Sequence, residues 1–530
     1  MLPGPWLRLN RNRDPNVNPL HYHPGTQPAL RLAAITATVL LLASCGGGGG
    51  GDSQPSIASG SVANVGNAGN VSSSGLLVTA PAGADGWTQC AAQGEVCTVP
   101  GARQVRYGAS GSYTYQNATT DIPCNNATFD DPLPGADKSC QYAPAGVTVA
   151  GRVYSRAVSG RTLSVGPGRN FARPCDALRV AGNGDVVEID AAGSRTYDGD
   201  TCAFHANDLT IRGINGRPKI GAFGNYAWGK GTWVITGSRV VVDNVELWGA
   251  QVPDGNGSAI RLDGKHLTVK NSFIHDNESG ILTSNDGESD ILIENTEFGH
   301  NGNDGGGTHN LYVGRVASLT FRASYSHDAR VGHNLKSRAR VNNISYSRFS
   351  STRPGQFETT APAQPSYEID LPNAGTAYLI GNVIQQPSAN QNSNMVSYGV
   401  EGATNPGKNL YVVNNTFIND DSSNGMFILV GPDVTTPLLA QNNIFAGTGN
   451  LTGQGNALLQ TNYRSLAPAF VNRAAYDLRP AAGAPFIGAG SAAGFSPSGV
   501  ALTSLREYVH IAGSRLRNGG ALDIGAYSAQ

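Results

Sequence analysis

The sequence predicts an all-β chain: a right-handed parallel β-helix, a solenoid of stacked coils, preceded by a small disulfide-linked β module. Three observations predict it. The 530 residues include 69 glycines and only 14% charged residues, a balance that favours many short turns over long helices. Short strands of alternating pattern recur, with turn positions 244, 271, 295, 323, 347, 382, 415 and 443 separated by 24 to 35 residues. Six cysteines fall between residues 90 and 202, an even number suited to staples. A hydrophobic share of 39% suffices for a core, and a net charge of -1 gives no electrostatic case for a nucleic-acid partner.

Residues 1–44 carry a targeting signal. Leu32–Ser44 is apolar but too short to span a bilayer as a helix, and Arg31 precedes it. It ends in Leu42-Ala43-Ser44-Cys45, which resembles a bacterial lipoprotein signal. The resemblance implies cleavage before Cys45, lipidation of Cys45 and attachment to a membrane through that anchor. Gly46, where a retained lipoprotein would carry aspartate, implies the outer membrane of a Gram-negative envelope, facing the periplasm or the cell surface. An ordinary secretory signal with an incidental cysteine is the plainer alternative. Residues 45–83, rich in Gly, Ser and Asn, read as a flexible tether.

Export fits the cysteines. Sequence proximity favours Cys90–Cys97, Cys124–Cys140 and Cys175–Cys202, and the absence of a close CxxC spacing argues against zinc. Residues 84–142 form a segment too small to hold itself without staples. Its Val105-Arg106-Tyr107-Gly108 and Cys124-Asn125-Asn126-Ala127-Thr128-Phe129 elements resemble a small cysteine-paired module that accompanies secreted polysaccharide-active enzymes. That likeness implies a carbohydrate-binding or spacer role. A cap shielding the first coil of the next domain is the structural alternative.

Residues 143–530 are assigned to the β-helix. Gly184-Asp185-Val186-Val187-Glu188-Ile189 and Leu209-Thr210-Ile211-Arg212-Gly213 resemble the start of pectate-lyase-like β-helices. Coils then repeat in Leu267-Thr268-Val269-Lys270-Asn271, Ile291-Leu292-Ile293-Glu294-Asn295 and Leu319-Thr320-Phe321-Arg322-Ala323. Parallel strands one coil apart place like residues in ladders, so a corner asparagine can adopt left-handed backbone and bond the asparagine of the next coil. Longer spacings mark insertions at about 351–364 and 388–394. A β-propeller would need regular blades of ~40–50 residues, which this spacing lacks. Tyr476-Asp477-Leu478-Arg479-Pro480 and Asp523-Ile524-Gly525-Ala526-Tyr527 resemble an ending common on secreted bacterial β-helix proteins.

Chemically demanding residues concentrate between His300 and Asp370. Three strands on successive coils contain Asn310-Leu311-Tyr312, Asn334-Leu335-Lys336-Ser337-Arg338 and Glu368-Ile369-Asp370. If Leu311, Leu335 and Ile369 point inward, alternation turns Asn310, Asn334 and Glu368, and likewise Tyr312, Lys336 and Asp370, outward as two stacks with Arg338 beside them. His309 and His333 precede two of the strands, His327 and Arg330 occupy an adjoining turn, and Arg315 follows the first strand; with them the patch suits a sugar acid. Turn positions are the duller reading for His275 and His300, ladder roles for Asn310 and Asn334, and solvated salt bridges for the acids.

A uronate lyase must neutralise a carboxylate and remove the proton α to it. A neighbouring Arg338 would lower the pKa of Lys336 toward a base's range, and Asn310, Asn334, Glu368 and Asp370 offer oxygen ligands suited to calcium. The segment Leu335-Lys336-Ser337, with Asn343-Ile344-Ser345-Tyr346-Ser347 after it, resembles the Lys-Ser strand and following turn of alginate lyases and chondroitinase B. The likeness implies Lys336 as base; the patch itself offers Arg338, His333 and Tyr312 as further catalytic groups and His309, His327, Arg330 and Arg315 as substrate contacts. It departs from those enzymes where their arginine, one coil later, is replaced by Asp370, so Arg338 must substitute or the reaction differs. The expected function is a monomeric polysaccharide lyase that cleaves a uronic-acid-containing glycan by β-elimination. A glycoside hydrolase using Glu368 and Asp370, a uronate epimerase and a non-catalytic glycan-binding protein are the alternatives.

Overall fold

The computed structural model describes residues 87–143 and 160–529, apart from 102, 110–111, 119–120, 130–131, 134–135, 192, 194–195, 304–306, 352–362 and 519. The expected leader, Cys45 and the tether lie outside the described residues, as does most of the first insertion.

Residues 88–142 form a four-stranded antiparallel sheet with a separate two-stranded ribbon. Disulfides join Cys90–Cys97 and Cys124–Cys140 across it, while Cys175–Cys202 clips the short helix Pro174–Leu178 to the start of the solenoid. All three are the pairs that proximity favours.

From Thr162 the chain winds as a right-handed parallel β-helix. Each coil contributes one strand to each of three parallel sheets, of 12, 11 and 10 strands. The register is continuous: Val242, Val269, Ile293, Phe321, Ile344, Leu379, Val412 and Ala440 lie one beneath another on the first sheet and fill the interior. Phe298, Phe321 and Phe349 are fully buried beside them, so the strand alternation read in the sequence is an inside–outside alternation.

The corner between the first and second sheets explains the asparagines. The left-handed residue is Asn244, Asn271, Asn295 and Ala323 in four coils, and Tyr346, Gly381, Asn414 and Asn442 in the next four. Expected turn positions 347, 382, 415 and 443 are therefore one residue late. Two neighbouring positions share the work assigned to one: the first bends the backbone, and the second turns inward to make a ladder. Asn382, Asn415 and Asn443 each donate amide to the side-chain carbonyl of the next asparagine, ending at Asn462, at 2.9–3.0 Å. Ser272, Thr296, Ser324 and Ser347 hold the same place in earlier coils, each accepting from the backbone of the coil before. Asn415→Ala would remove the acceptor of both the Asn382 backbone N–H and its side-chain amide, and is expected to cost about 1–3 kcal/mol in urea unfolding.

The C-terminal segment lies on the outer faces of the first two sheets. Ile524, Ala526 and Phe486 pack with Val383, Ile418 and Ile444 of the second, and Leu502 with Tyr378 and Tyr411 of the first. The third sheet carries Tyr312, Lys336 and Asp370.

Candidate functional site

Three strands of the third sheet, Leu311–Val313, Leu335–Ser337 and Ile369–Leu371, lie side by side. Leu311, Leu335 and Ile369 are buried in the core. The register sets Tyr312 against Lys336 and Lys336 against Asp370, one outward column crossing three coils. Further rungs of that column are Val234, Arg261 and Leu282 on one side and Ser397 and Leu429 on the other. Apolar side chains thus satisfy the same position elsewhere. The fold does not require a lysine and an aspartate here, and buried ion pairs are a poor way to gain stability.

Lys336 is the centre of the cluster. Its Nζ lies 2.8 Å from Asp370 Oδ2 and 3.0 Å from Glu401 Oε1. Glu401 Oε2 in turn accepts from Arg338 Nη2 at 2.6 Å, and Arg338 also donates to Tyr312 Oη at 2.9 Å and Asn373 Oδ1 at 2.6 Å. Lys336 and Asp370 are nearly sealed, whereas the Glu401 side chain is 45% exposed. Asp370 Oδ1 is buried with no hydrogen-bond partner among the described residues.

The electrostatics revise the expected role of Lys336. Burial works against its charge, but Asp370 and Glu401 outweigh burial and hold its pKa above the ordinary lysine value. Arg338 does not bring it down toward a base's range; its guanidinium is engaged with Glu401 and Tyr312. Glu401 is held below the usual carboxylate range because Arg338 and Lys336 overcome the effect of burial. Both partners are therefore charged at neutral pH.

A second tier borders the column. The rings of His309 and His333 stack at 4.6 Å, with Tyr367 5.2 Å beyond. Backbone N–H groups of His333 and Tyr367 donate to Nδ1 of His309 and His333 respectively, so each neutral ring carries its proton on Nε2. His333 Nε2 points at Asp370 Oδ2, 3.4 Å away. Burial dominates both rings, bringing His333 to about 4 and His309 well below the ordinary value. With Nδ1 committed to backbone, neither is set up as a proton acceptor.

Asn310, Asn334 and Glu368 do stack, but they turn inward instead of outward because they sit at the corner before the strand, where alternation does not yet apply. All three are fully buried. Asn277, Asn301, Asn310 and Asn334 pass amide-to-carbonyl bonds along a second internal ladder, and Asn334 donates to Glu368 Oε2. Burial pushes the Glu368 carboxyl up to about 8, so it is neutral at pH 7 and ends the ladder as an amide would. The expected calcium ligands do not fit that role: three are consumed by the ladder, and Asp370 is tied to Lys336. Among the described residues no group of three His, Cys, Asp or Glu side chains stands ready to hold a metal.

Three expected substrate contacts lie elsewhere. His327 belongs to the strand Tyr325–His327 of the second sheet, sealed between Asp328 at 2.8 Å and Glu297 at 3.2 Å. Burial opposes its charge, yet Tyr325, Asp328 and Glu297 hold its pKa well above the ordinary value. Arg330 pairs with Asp276. Arg315 is exposed in the turn after Val313. The sequence reading missed Glu401, Asn373 and Tyr367. Tyr367 holds the place before its strand that His309 and His333 hold before theirs, so position alone marks it; Glu401 lies in the turn of the coil after Asp370, outside the stretch from His300 to Asp370.

Fold and site together define a parallel β-helix with a compact ionic patch on the outer face of one sheet. No family model matches the chain. An uncharacterized protein of Acanthamoeba polyphaga mimivirus is 39% identical over 59 residues, which is 11% of this chain; the chain spans about three-tenths (29%) of that relative's length. Among solved structures, pectate lyase Pel9A aligns over 71% of this chain and 98% of its own, at 15% identity and a TM-score of 0.47. A Geobacillus virus E2 protein, ORF18, aligns over 54% of this chain and 53% of its own, at 14% identity and a TM-score of 0.33. The fold assignment rests on the strand register described above.

Proposed function

We propose that the protein binds an acidic, uronate-containing polysaccharide across the third sheet and cleaves it by β-elimination. One observation carries the reading: a half-exposed carboxylate, Glu401, bridges Lys336 and Arg338, two cations held on an otherwise closed surface. A uronate carboxylate has the charge and geometry to take Glu401's place. Arg338 and Lys336 would then neutralise it, which acidifies the proton on the adjacent carbon.

Two groups of the patch can move a proton. Lys336 stands protonated and suits donation to the leaving glycosidic oxygen; abstraction falls to the Tyr312 oxygen acting as phenolate beside the Arg338 guanidinium that contacts it, and the α proton ends on that oxygen as the phenol. The carbon–hydrogen electrons form the new double bond, the β carbon–oxygen bond breaks, and the departing oxygen takes the lysine's proton. Hydrolysis fits less well, since it needs a reachable carboxyl of raised pKa. Glu368 is raised but sealed, and Glu401 is held low. In this proposal, lipid on Cys45 anchors the protein to the cell envelope.

The test is to incubate the protein with a panel of acidic polysaccharides, with and without a chelator, and follow ultraviolet absorbance of unsaturated ends. Reducing ends without absorbance would indicate hydrolysis, inverted uronates without cleavage an epimerase, and retention without reaction a binding protein. Glu401→Gln removes the resident anion while leaving both cations, and is expected to tighten binding of acidic oligosaccharides about tenfold at low salt. Unchanged affinity would remove the displacement step from the reading.

A further inference from the structure

Toward the N-terminal end of the third sheet, a short loop presents aromatic rings to solvent. It joins the strands Lys219–Gly221 and Gly231–Ile235. Phe223, Tyr226 and Trp228 are 54%, 44% and 59% exposed. Burying such rings would stabilise the fold by a few kcal/mol each, so a loop serving only to close the coil would bury them. Two of them also sit in left-handed backbone, Phe223 at φ 48° and Trp228 at φ 51°, a conformation costly for a bulky side chain.

The loop is nonetheless well fixed. Ala222 N–H donates to Trp248 O at 2.9 Å, Ala227 N–H to Gly231 O at 2.7 Å, and Lys230 N–H to Ala227 O at 2.8 Å. The Phe223 ring meets the Trp248 ring edge-on at 4.8 Å, and Trp228 lies 5.8 Å from the His205 ring. These contacts hold the rings without covering them.

The loop bridges the second sheet and the third: Phe223 packs on Trp248 of the second, and the loop runs on into Gly231–Ile235 of the third, the sheet that carries Lys336. The loop leads into the strand of Val234, from which the column runs on through Arg261, Leu282 and Tyr312 to Lys336. Four inter-strand steps at ~4.8 Å separate the strand that follows the loop from the lysine's strand, roughly 19 Å along the axis, a distance that several sugar rings of one chain would span. Arg261 lies on the line between them.

We propose that Phe223, Tyr226 and Trp228 form a remote glycan subsite, stacking on the pyranose faces of the same polysaccharide whose uronate reaches Lys336 and Arg338. This rests on the proposed function and adds a requirement for chain length. Sugar rings are the occupant because their apolar faces match exposed aromatic planes, while their hydroxyls and carboxylates suit Arg261 and the ionic patch.

The test measures tryptophan fluorescence and equilibrium binding of the full chain with acidic and neutral polysaccharides, long oligosaccharides and disaccharides. Trp228→Ala is expected to weaken binding of long chains about tenfold, the scale of one lost ring contact, and to leave disaccharide binding unchanged. Trp228→Phe should recover most of it, which excludes misfolding as the cause. Lys336→Ala should weaken acidic ligands of every length. Polymer affinity unchanged in Trp228→Ala, alongside a loss in Lys336→Ala, would overturn the platform and spare the catalytic reading. Neutral polymer bound through Trp228, with no acidic polymer bound, would do the reverse. Failure of the wild-type protein to bind any polysaccharide, or an oligomer that Trp228→Ala dissolves in sedimentation, would overturn the platform as a glycan site.

Discussion

Lys336→Ala is expected to abolish formation of unsaturated ends, by about a thousandfold, the range of a lost proton-transferring group. The substitution also removes the closest cation from Asp370, which is 1% exposed and otherwise has His333 3.4 Å away. Loss of one partner from a buried pair is costly, so thermal stability should fall with activity. A double variant, Lys336→Met with Asp370→Leu, separates the two effects. Leu282 and Leu429 already occupy this outward column, so the pair should be accepted and melting should return toward wild type. Product should not return. Activity surviving in Lys336→Ala would remove that residue from the chemistry.

Glu368→Gln is expected to change how stability responds to pH. The folded-state pKa of Glu368 is raised to about 8 from an ordinary value of 4.5, because the buried carboxyl is favoured as the neutral acid. A raised pKa means that its contribution is complete below the unfolded value and is lost as pH rises through the folded value. Stability should therefore decline between about pH 5 and pH 8, with a slope near 1.4 kcal/mol per pH unit from this group. Glutamine keeps the acceptor that Asn334 requires and carries no charge. The variant should match wild type near pH 5 and exceed it increasingly toward pH 8, as measured by urea unfolding across that range. A slope unchanged in Glu368→Gln would mean that the carboxyl is ionised in the fold.

Much of the architecture was legible because a solenoid writes its geometry into sequence at one coil's spacing. Leu267 with Val269 and Leu319 with Phe321 declare inward positions by alternation alone, and the stack Tyr312, Lys336, Asp370 follows from aligning successive strands. Legibility stopped where strands stop. Asn310, Asn334 and Glu368 were read as one more outward position, but a corner residue has no obligation to alternate, and burial reversed both their direction and the charge of Glu368. The same limit displaced His327 and Arg330, since a turn can carry a residue to the neighbouring sheet without any change in pattern. Glu401 was hidden for another reason: its link to Lys336 spans 65 residues, and an acid in a glycine-flanked turn has no local signature.

The seating of the last residues has a consequence for how the molecule is made. Ala526 N–H donates to Thr416 Oγ1, 110 residues earlier, and Asn414 reaches Asp523 O across 109. Coils emerging first during synthesis therefore wait with Ile418, Ile444 and Val413 bare until the C-terminal segment arrives to cover them. Covering of these faces is timed by the arrival of residues 486–526, and the interval before it is when the nascent protein most needs protection from aggregation.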